Sequence, residues 1–425
     1  MDYVFALSSP KISSRQNCTA PQGVIFRADF GKDGRSRIEH TTRTYLAEDA
    51  EKVPLAAGSY YSRLLNNYGE NILLVYGKGA IKKIGLYDKI IEILKSARKK
   101  VVELAGIKPN PSYAQVLEGA RLVREHHIDL ILAVGGGSTI DCSKAISVSA
   151  YCEGDPWQKY WIDEEPVANK IVPVGSVLTM SGTASEMNGG SVITNEEKML
   201  KQGRVFPSNV YPKFSILNPE YTLSVSEYQM ASGIFDAMSH LMEQYFSGTD
   251  DNVTDYLIEG IMKSLVHSAK IAMKNPQDYE ARSNITWCAT LALNYIAGLS
   301  KTQDWEVHMI EHQIGAYTDC THGAGLAVLS VPYYQYICAY GLDKFVRFAK
   351  NVWEVNVNGM RKEDAAARGI EKLAEFIQEL KLPTTLRELG ATEEMLPLIA
   401  NSTVLGGGYK QMTADDILQV LKNCY

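Results

Sequence analysis

The sequence predicts an α/β N-terminal domain built on a parallel sheet, followed by an all-α C-terminal domain. Three observations carry that expectation. Short apolar runs ending in glycine turns alternate with helix-patterned segments over the first half of the chain. The runs are continuously apolar rather than alternating, the mark of strands covered on both faces. Past Asn218-Pro219-Glu220 the strand-like runs nearly vanish and long helical patterns take over. The expected domains are therefore 1–220 and 221–425.

The elements follow in order. Residues 1–65 are the least patterned, with one strand candidate at Gly23-Val24-Ile25-Phe26. Ile72-Leu73-Leu74-Val75-Tyr76 reads as a buried strand closed by Gly77-Lys78-Gly79. Residues 86–104 and 113–126 show helical spacing. Leu130-Ile131-Leu132-Ala133-Val134 is a second buried strand, with a helix expected over 140–149, and Val172-Pro173-Val174 opens a third strand region. This strand–helix alternation implies a parallel sheet with helices on both faces. In the second half, helices are expected over 226–246, 254–273, 279–299, 308–317 and 361–380.

Composition excludes several classes of protein. A formal net charge of -6 with no basic run argues against nucleic-acid or anionic-membrane partners, which want a basic face. The seven cysteines form no C-x-x-C pair, so neither a disulfide framework nor a zinc ribbon is indicated. The N-terminus lacks the pattern of a secretory signal, and no apolar stretch reaches membrane-spanning length. The expected location is the cytoplasm.

Two regions carry chemistry. In the first, Gly135-Gly136-Gly137-Ser138-Thr139 joins a strand to a helix. Free amides and the partial positive charge of a helix N-terminus suit a phosphate, and glycines let the backbone come close to it. A tight turn without a ligand would use the same residues. The hydroxyl-rich segment 178–186 follows the third strand, where Thr179, Thr183 and Ser185 could wrap a ribose or a nicotinamide amide. The strand 72–76 ends without the acidic residue that, in dinucleotide folds, holds a ribose 2′-hydroxyl and repels a 2′-phosphate. Gly77 and Lys78 stand there instead, which favours NADP over NAD.

The second region is rich in histidine. Asp236 and His240 lie four residues apart, on one face of a helix patterned for burial. Facing inward, the pair asks for a shared counter-ion. His308 and His312 repeat the spacing, and His322 follows in what reads as a small-residue loop, His322-Gly323-Ala324-Gly325. A lone core histidine is usually just hydrogen-bonded. One carboxylate and several imidazoles in this order fit Fe²⁺ or Zn²⁺ better than a hard ion. His40, His126, His127 and His267 lack such company.

Taken together, G-G-G-S-x-x-D, L-T-x-x-x-T-x-S-E, D-x-x-x-H and H-x-x-x-H with a later histidine resemble the iron-containing (group III) alcohol dehydrogenases. Gln303-Asp304-Trp305 and His322-Gly323-Ala324-Gly325-Leu326-Ala327 resemble its branch of butanol dehydrogenases and NADPH-dependent aldehyde reductases. The resemblance runs from about Asn71 to the C-terminus. It implies a dehydroquinate synthase-like fold, with an N-terminal dinucleotide-binding domain, a helical metal-binding domain and an active site in the cleft between them. It implies Asp236, His240, His308 and His322 as metal ligands, and His312 as a catalytic group beside nicotinamide and substrate. Cofactor contacts implied are Gly77, Lys78, Asn110, Gly136, Gly137, Ser138, Asp141, Thr179, Thr183, Ser185 and Lys201. A homodimer acting on small aldehydes and alcohols with NADP(H) and Fe²⁺ or Zn²⁺ is the family expectation. Residues 1–65 depart from it. Phe30-Gly31-Lys32-Asp33-Gly34 imitates the family's early turn, but residues 35–61 then intervene without an apolar stripe.

Two rival functions fit the sequence less well. A metal-dependent cyclase or lyase acting on a sugar phosphate would need basic groups for its substrate, and residues 305–326 contain no Arg or Lys. A non-catalytic metal store would not need the glycine-rich loop.

Overall fold

The computed structural model describes residues 64–248, 253–299 and 301–425, with the backbone of three short strands before them. The chain divides into two compact units. The first comprises the described residues up to 180 with 185–193 and 203–224, and the second comprises 181–184, 194–202 and the described residues from 225 onward.

The first unit contains a six-stranded sheet. Its strands are β1 (Phe5–Ala6), β4 (Asn71–Tyr76), β5 (Lys100–Ala105), β6 (Leu130–Gly135), β7 (Val174–Leu178) and β10 (Phe214–Leu217), in the order β1-β10-β7-β6-β4-β5. Every pairing is parallel. Two further pairs lie outside it: β2 (Ala28–Phe30) with β3 (Ser36–Ile38), antiparallel, and β8 (Gly190–Asn195) with β9 (Leu200–Val205). The strand candidate at 23–26 and the turn residues 31–35 lie outside the described residues.

Helices α1 (Ala80–Lys83), α2 (Leu86–Ser96), α3 (Tyr113–Glu125) and α4 (Gly137–Ser149) accompany the strands. Ser112 caps α3 in a reciprocal box with Gln115. All six residues of β6 are buried, as a central parallel strand requires. The helix expected over 86–104 is a helix and a strand. It stops at Ser96, Arg98 takes a left-handed φ of 55°, and the chain enters edge strand β5. Leu94, Ala97, Val101 and Leu104 happen to keep helical spacing. The outward polar residues of an edge strand hide the continuous apolar run that marked the central ones.

The second unit is helical: α5 (Glu227–Tyr245), α6 (Val253–Lys274), α7 (Tyr279–Ala292), α8 (Glu306–Thr318), α9 (His322–Ile337), α10 (Leu342–Asn351), α11 (Lys362–Glu379), α12 (Met395–Ser402) and α13 (Ala414–Asn423). Every residue of α5 from Met230 onward is buried, so this helix is the axis around which α6, α7 and α9 pack. The helix expected over 279–299 ends at Ala292, where Asn294 turns its side chain back to accept from the Ile296 amide at 3.2 Å. The small residues 322–325, read as a loop, are the first turn of α9. Their size serves close packing. A Cβ on Gly323 would overlap the Ser232 carbonyl of α5. Among the described residues no helix is long and apolar enough to cross a membrane.

Gly323→Ala should force α9 away from α5. Overpacking of this kind costs about 1–3 kcal/mol, so thermal unfolding should show a melting point lowered by several degrees. An unchanged melting point would show that the α5–α9 contact yields freely.

Candidate metal centre and nucleotide loop

Helix α5 places Asp236 and His240 one turn apart, α8 carries His308 and His312, and His322 opens α9. The Asp236 Oδ1 atom lies 3.4 Å from His240 Nε2, 3.6 Å from His322 Nε2 and 3.8 Å from His308 Nε2. The His240 and His308 rings stack at 4.7 Å, and the His308 and His322 rings are 5.2 Å apart. Asp236, His240 and His308 form a cluster whose donor atoms all lie within 4.8 Å of one another. Asp236, His240 and His308 are buried, and His322 is a quarter exposed.

The donor chemistry fits a divalent ion. Asp236 Oδ1 and His308 Nε2 are buried without a hydrogen-bond partner, and orphaned polar atoms are costly in an interior. Lone pairs aimed at one another need a shared cation, and three imidazoles with one carboxylate suit Fe²⁺ or Zn²⁺.

Two further carboxylates set the imidazoles' orientation. Glu243 accepts from His308 Nδ1, from the Val307 amide at 3.0 Å and from Ser239 Oγ at 3.2 Å. Glu311 accepts from His322 Nδ1 and from Lys201 Nζ at 3.0 Å. A carboxylate only accepts, so Nδ1 of each ring carries the proton and Nε2 presents its lone pair to the centre. Burial opposes a charged His308, but Glu243 and Asp236 outweigh it and raise its pKa to about 10, so a cation entering the centre would displace the Nε2 proton and take its place between the ring and Asp236. Burial pushes His240 down to about 3 against the pull of Asp236. Burial, reinforced by the Lys201 charge, pushes the His312 pKa well below the ordinary imidazole value. Its ring lies 5.8 Å from that of His322 and 6.4 Å from that of His308.

Sequence reading missed Glu243 and Glu311. Their signal was position, three residues after His240 and three after His308 on helices already assigned to the centre. It also gave Trp305 no role. Trp305 holds a left-handed φ of 68°, donates from Nε1 to Gln303 at 2.7 Å, and sets its indole edge-on to His308 at 5.4 Å and His240 at 6.1 Å.

In the first unit, the registers Tyr76↔Val134 and Gly135↔Leu178 bring the carboxyl ends of β4, β6 and β7 level. Gly77-Lys78, Gly136 and Thr179 therefore line one sheet edge, where open α/β sheets bind ligands. The Thr179 amide donates to the Gly135 carbonyl at 2.9 Å. A Cβ on Gly135 would overlap the Thr139 hydroxyl. No side chain caps α4, and Ser138 is half-buried in its first turn. Lys78 is exposed, and Asn110 is half-buried with φ 53°. Asp141 is turned inward, accepting from Ser185 Oγ and from the Val192 amide at 2.9 Å. Buried Lys144 ties the same helix to the carbonyls of Ser185 at 3.0 Å and Asn188 at 3.2 Å. Asp141 and Ser185 thus fasten α4 to the hydroxyl-rich segment. Thr183 and Lys201 fall in the second unit, and Lys201 is buried against Glu311.

Glu243→Gln should weaken divalent-metal affinity about 10–100-fold, the usual effect of removing a carboxylate behind a ligating histidine. Competition with a chromogenic chelator measures it, and an unchanged affinity would show that His308 is oriented by other contacts.

The chain is similar to proteins of one known family. The family model "Iron-containing alcohol dehydrogenase" matches residues 56–219, and that of the family's C-terminal region matches 230–425. The chain is 39% identical over 368 residues to NADH-dependent butanol dehydrogenase A of Clostridium acetobutylicum, covering 85% of this chain and 94% of the relative. It is 34% identical over 331 residues to the NADPH-dependent aldehyde reductase YqhD of Escherichia coli, covering 77% and 84%. The crystal structure of NADH-dependent butanol dehydrogenase A from Thermotoga maritima superposes with a TM-score of 0.81 at 32% identity, covering 85% of this chain and 93% of that one. With both family models matched and more than 30% identity over most of the chain, the protein belongs to the iron-containing alcohol dehydrogenase family.

Proposed function

We propose that the protein transfers hydride between NADP(H) and small primary alcohols and aldehydes, with butanol and butanal as representative substrates. The observation that carries this reading is the convergence of three imidazole Nε2 atoms on Asp236 Oδ1. Asp236, His240, His308 and His322 would hold Fe²⁺ or Zn²⁺. A bound ion supplies Lewis acidity at the substrate oxygen.

The remaining roles fall to the chain itself. The amides of Gly137 and Ser138 at the uncapped start of α4 take the pyrophosphate, with Gly136 and Thr179 beside it. Asp141 and Ser185 shape that loop from behind. Gly77 and Lys78 accept the 2′-phosphate, Asn110 borders the same edge, and Thr183 contacts the nicotinamide end. His312, one turn after His308 on α8, would take the hydroxyl proton in alcohol oxidation and return it to the product oxygen in reduction. The names of the relatives divide between NADH and NADPH. The NADP preference rests on the absent acidic residue after β4. A homodimer in the cytoplasm is the family expectation, and sedimentation tests the dimer.

The test is loss of reduced-nicotinamide absorbance with butanal, comparing NADPH with NADH, with and without Fe²⁺ or Zn²⁺. Metal-dependent consumption of NADPH is the expected result. No turnover by protein that binds both metal and cofactor would remove the reading. His308→Ala should abolish turnover and metal content together, whereas His312→Ala should slow turnover with metal retained. Loss of metal from His312→Ala would make His312 a ligand.

Gly77→Asp tests cofactor choice. A Cβ at this position meets only the Ile107 carbonyl, at 3.6 Å, an ordinary van der Waals contact. The carboxylate should lower kcat/KM for NADPH relative to NADH by about tenfold or more, about 1.4 kcal/mol. An unchanged ratio would place the 2′-position elsewhere.

A further inference from the structure

The two carboxylates behind the metal centre are anchored differently. Glu243 is held by its surroundings on α5 and α8: the amides of Val307 and His308 and the hydroxyl of Ser239. Among the described residues, the hydrogen bonds to Glu311 come from Lys201 and His322 alone. Lys201 stands on β9, far from α8 in sequence, and its ammonium contacts both carboxylate oxygens, at 3.0 and 3.3 Å.

The pair sits in a slot shaped for it. Lys201 is 3% exposed and Glu311 0%. On α8, one turn after Glu311, a Cβ on Gly315 would come within 2.9 Å of Lys201 Nζ. On α9, a Cβ on Gly325 would come within 2.8 Å of Glu311 Cγ. Gln313 fixes the Lys201 main chain by donating to its carbonyl at 3.3 Å. Burying two charges carries a desolvation cost that their attraction often fails to offset, so stability alone is a weak reason for the pair. Its third member supplies a better one. Glu311 receives the Nδ1 proton of His322, and His322 Nε2 faces Asp236 Oδ1 at 3.6 Å. His322 is also the most exposed of the four donors and opens its helix, so it has the least packing to hold it.

We propose that Lys201 is a positioning residue of the metal centre: it clamps Glu311, which aims His322 Nε2 at Asp236. The inference rests on the metal-centre reading above and gives Lys201 a task other than contact with the cofactor.

The experiment is a double-substitution cycle on metal-stripped full-length protein. Zinc affinity is read by chelator competition and NADPH affinity by nucleotide fluorescence, for wild type, Lys201→Met, Glu311→Gln, the double variant and His308→Ala. Each single at the clamp should weaken zinc about tenfold or more, and the double should be no weaker than the worse single, because both act through one contact. The visible spectrum of the cobalt-loaded protein should change in the same way in both singles, as altered ligand orientation requires. Additive losses, wild-type zinc affinity in Lys201→Met, or a loss confined to NADPH would each overturn the proposal. Glu311→Gln is nearly isosteric, so it decides the question if Lys201→Met does not fold: wild-type zinc affinity in that variant also overturns it. If His308→Ala binds zinc as tightly as wild type, the metal-centre reading itself fails. If only His308→Ala loses zinc, that reading stands and the clamp does not.

Discussion

The helical unit is organised around one arrangement: a buried carboxylate oxygen, Asp236 Oδ1, faced by the Nε2 atoms of three imidazoles. Asp236 Oδ1 and His308 Nε2 have no protein partner, and side-chain adjustment that brought them one would dismantle the cluster. The surrounding structure keeps them apart from alternatives. Helix α5 is buried along nearly its whole length, so Asp236 and His240 have one available orientation. Gly323 lets α9 approach α5 closely enough for His322 to reach the same point. The resulting close packing lacks the slack in which a side chain could turn away.

The α/β unit solves a complementary problem. A helix start must stay uncapped and accessible, yet be fixed in place. Helix α4 meets both demands by burying every residue after Ser138. Its polar residues point inward, where Asp141 and Lys144 bind the 185–192 segment rather than solvent. The level ends of β4, β6 and β7 then set the glycine turn beside Gly77 and Thr179. Within this unit, the residues that the motifs group as cofactor contacts divide into those at the sheet edge and those that hold the edge together.

Sequence alone revealed the parts of the site that obey a period. Asp236 with His240 and His308 with His312 are spaced four apart, and that spacing requires one helix face. Central strands β4 and β6 were legible because both of their faces are buried. Edge strand β5 was not, because its outward residues are polar and its inward ones mimic a helix. The first turn of α9 was hidden by glycines, which signal a loop when read locally and a helix contact when Ser232 is seen opposite. Glu243 and Glu311 were illegible for a different reason. An acidic residue on a helix normally faces water, and only their place three residues after a histidine of the centre marks these two as different. Neutrality of His312 likewise depends on burial and on a lysine from another element, and neither is a property of its own segment.

The asymmetry between the two supporting carboxylates follows from where their histidines sit. His308 lies in the first turn of α8, so the amides of that same turn, Val307 and His308, can hold its partner Glu243. His322 begins a helix, beside small residues needed for the contact with α5, and larger supporting side chains cannot be placed there. Glu311 must therefore reach across from α8, and the charge that steadies it must come from elsewhere. Lys201 on β9 meets that need, and Gly315 and Gly325 are the spaces it requires. Close packing of α9 on α5 and a remote anchor for His322 are two consequences of the same constraint, the convergence of three separate chain segments on a single carboxylate oxygen.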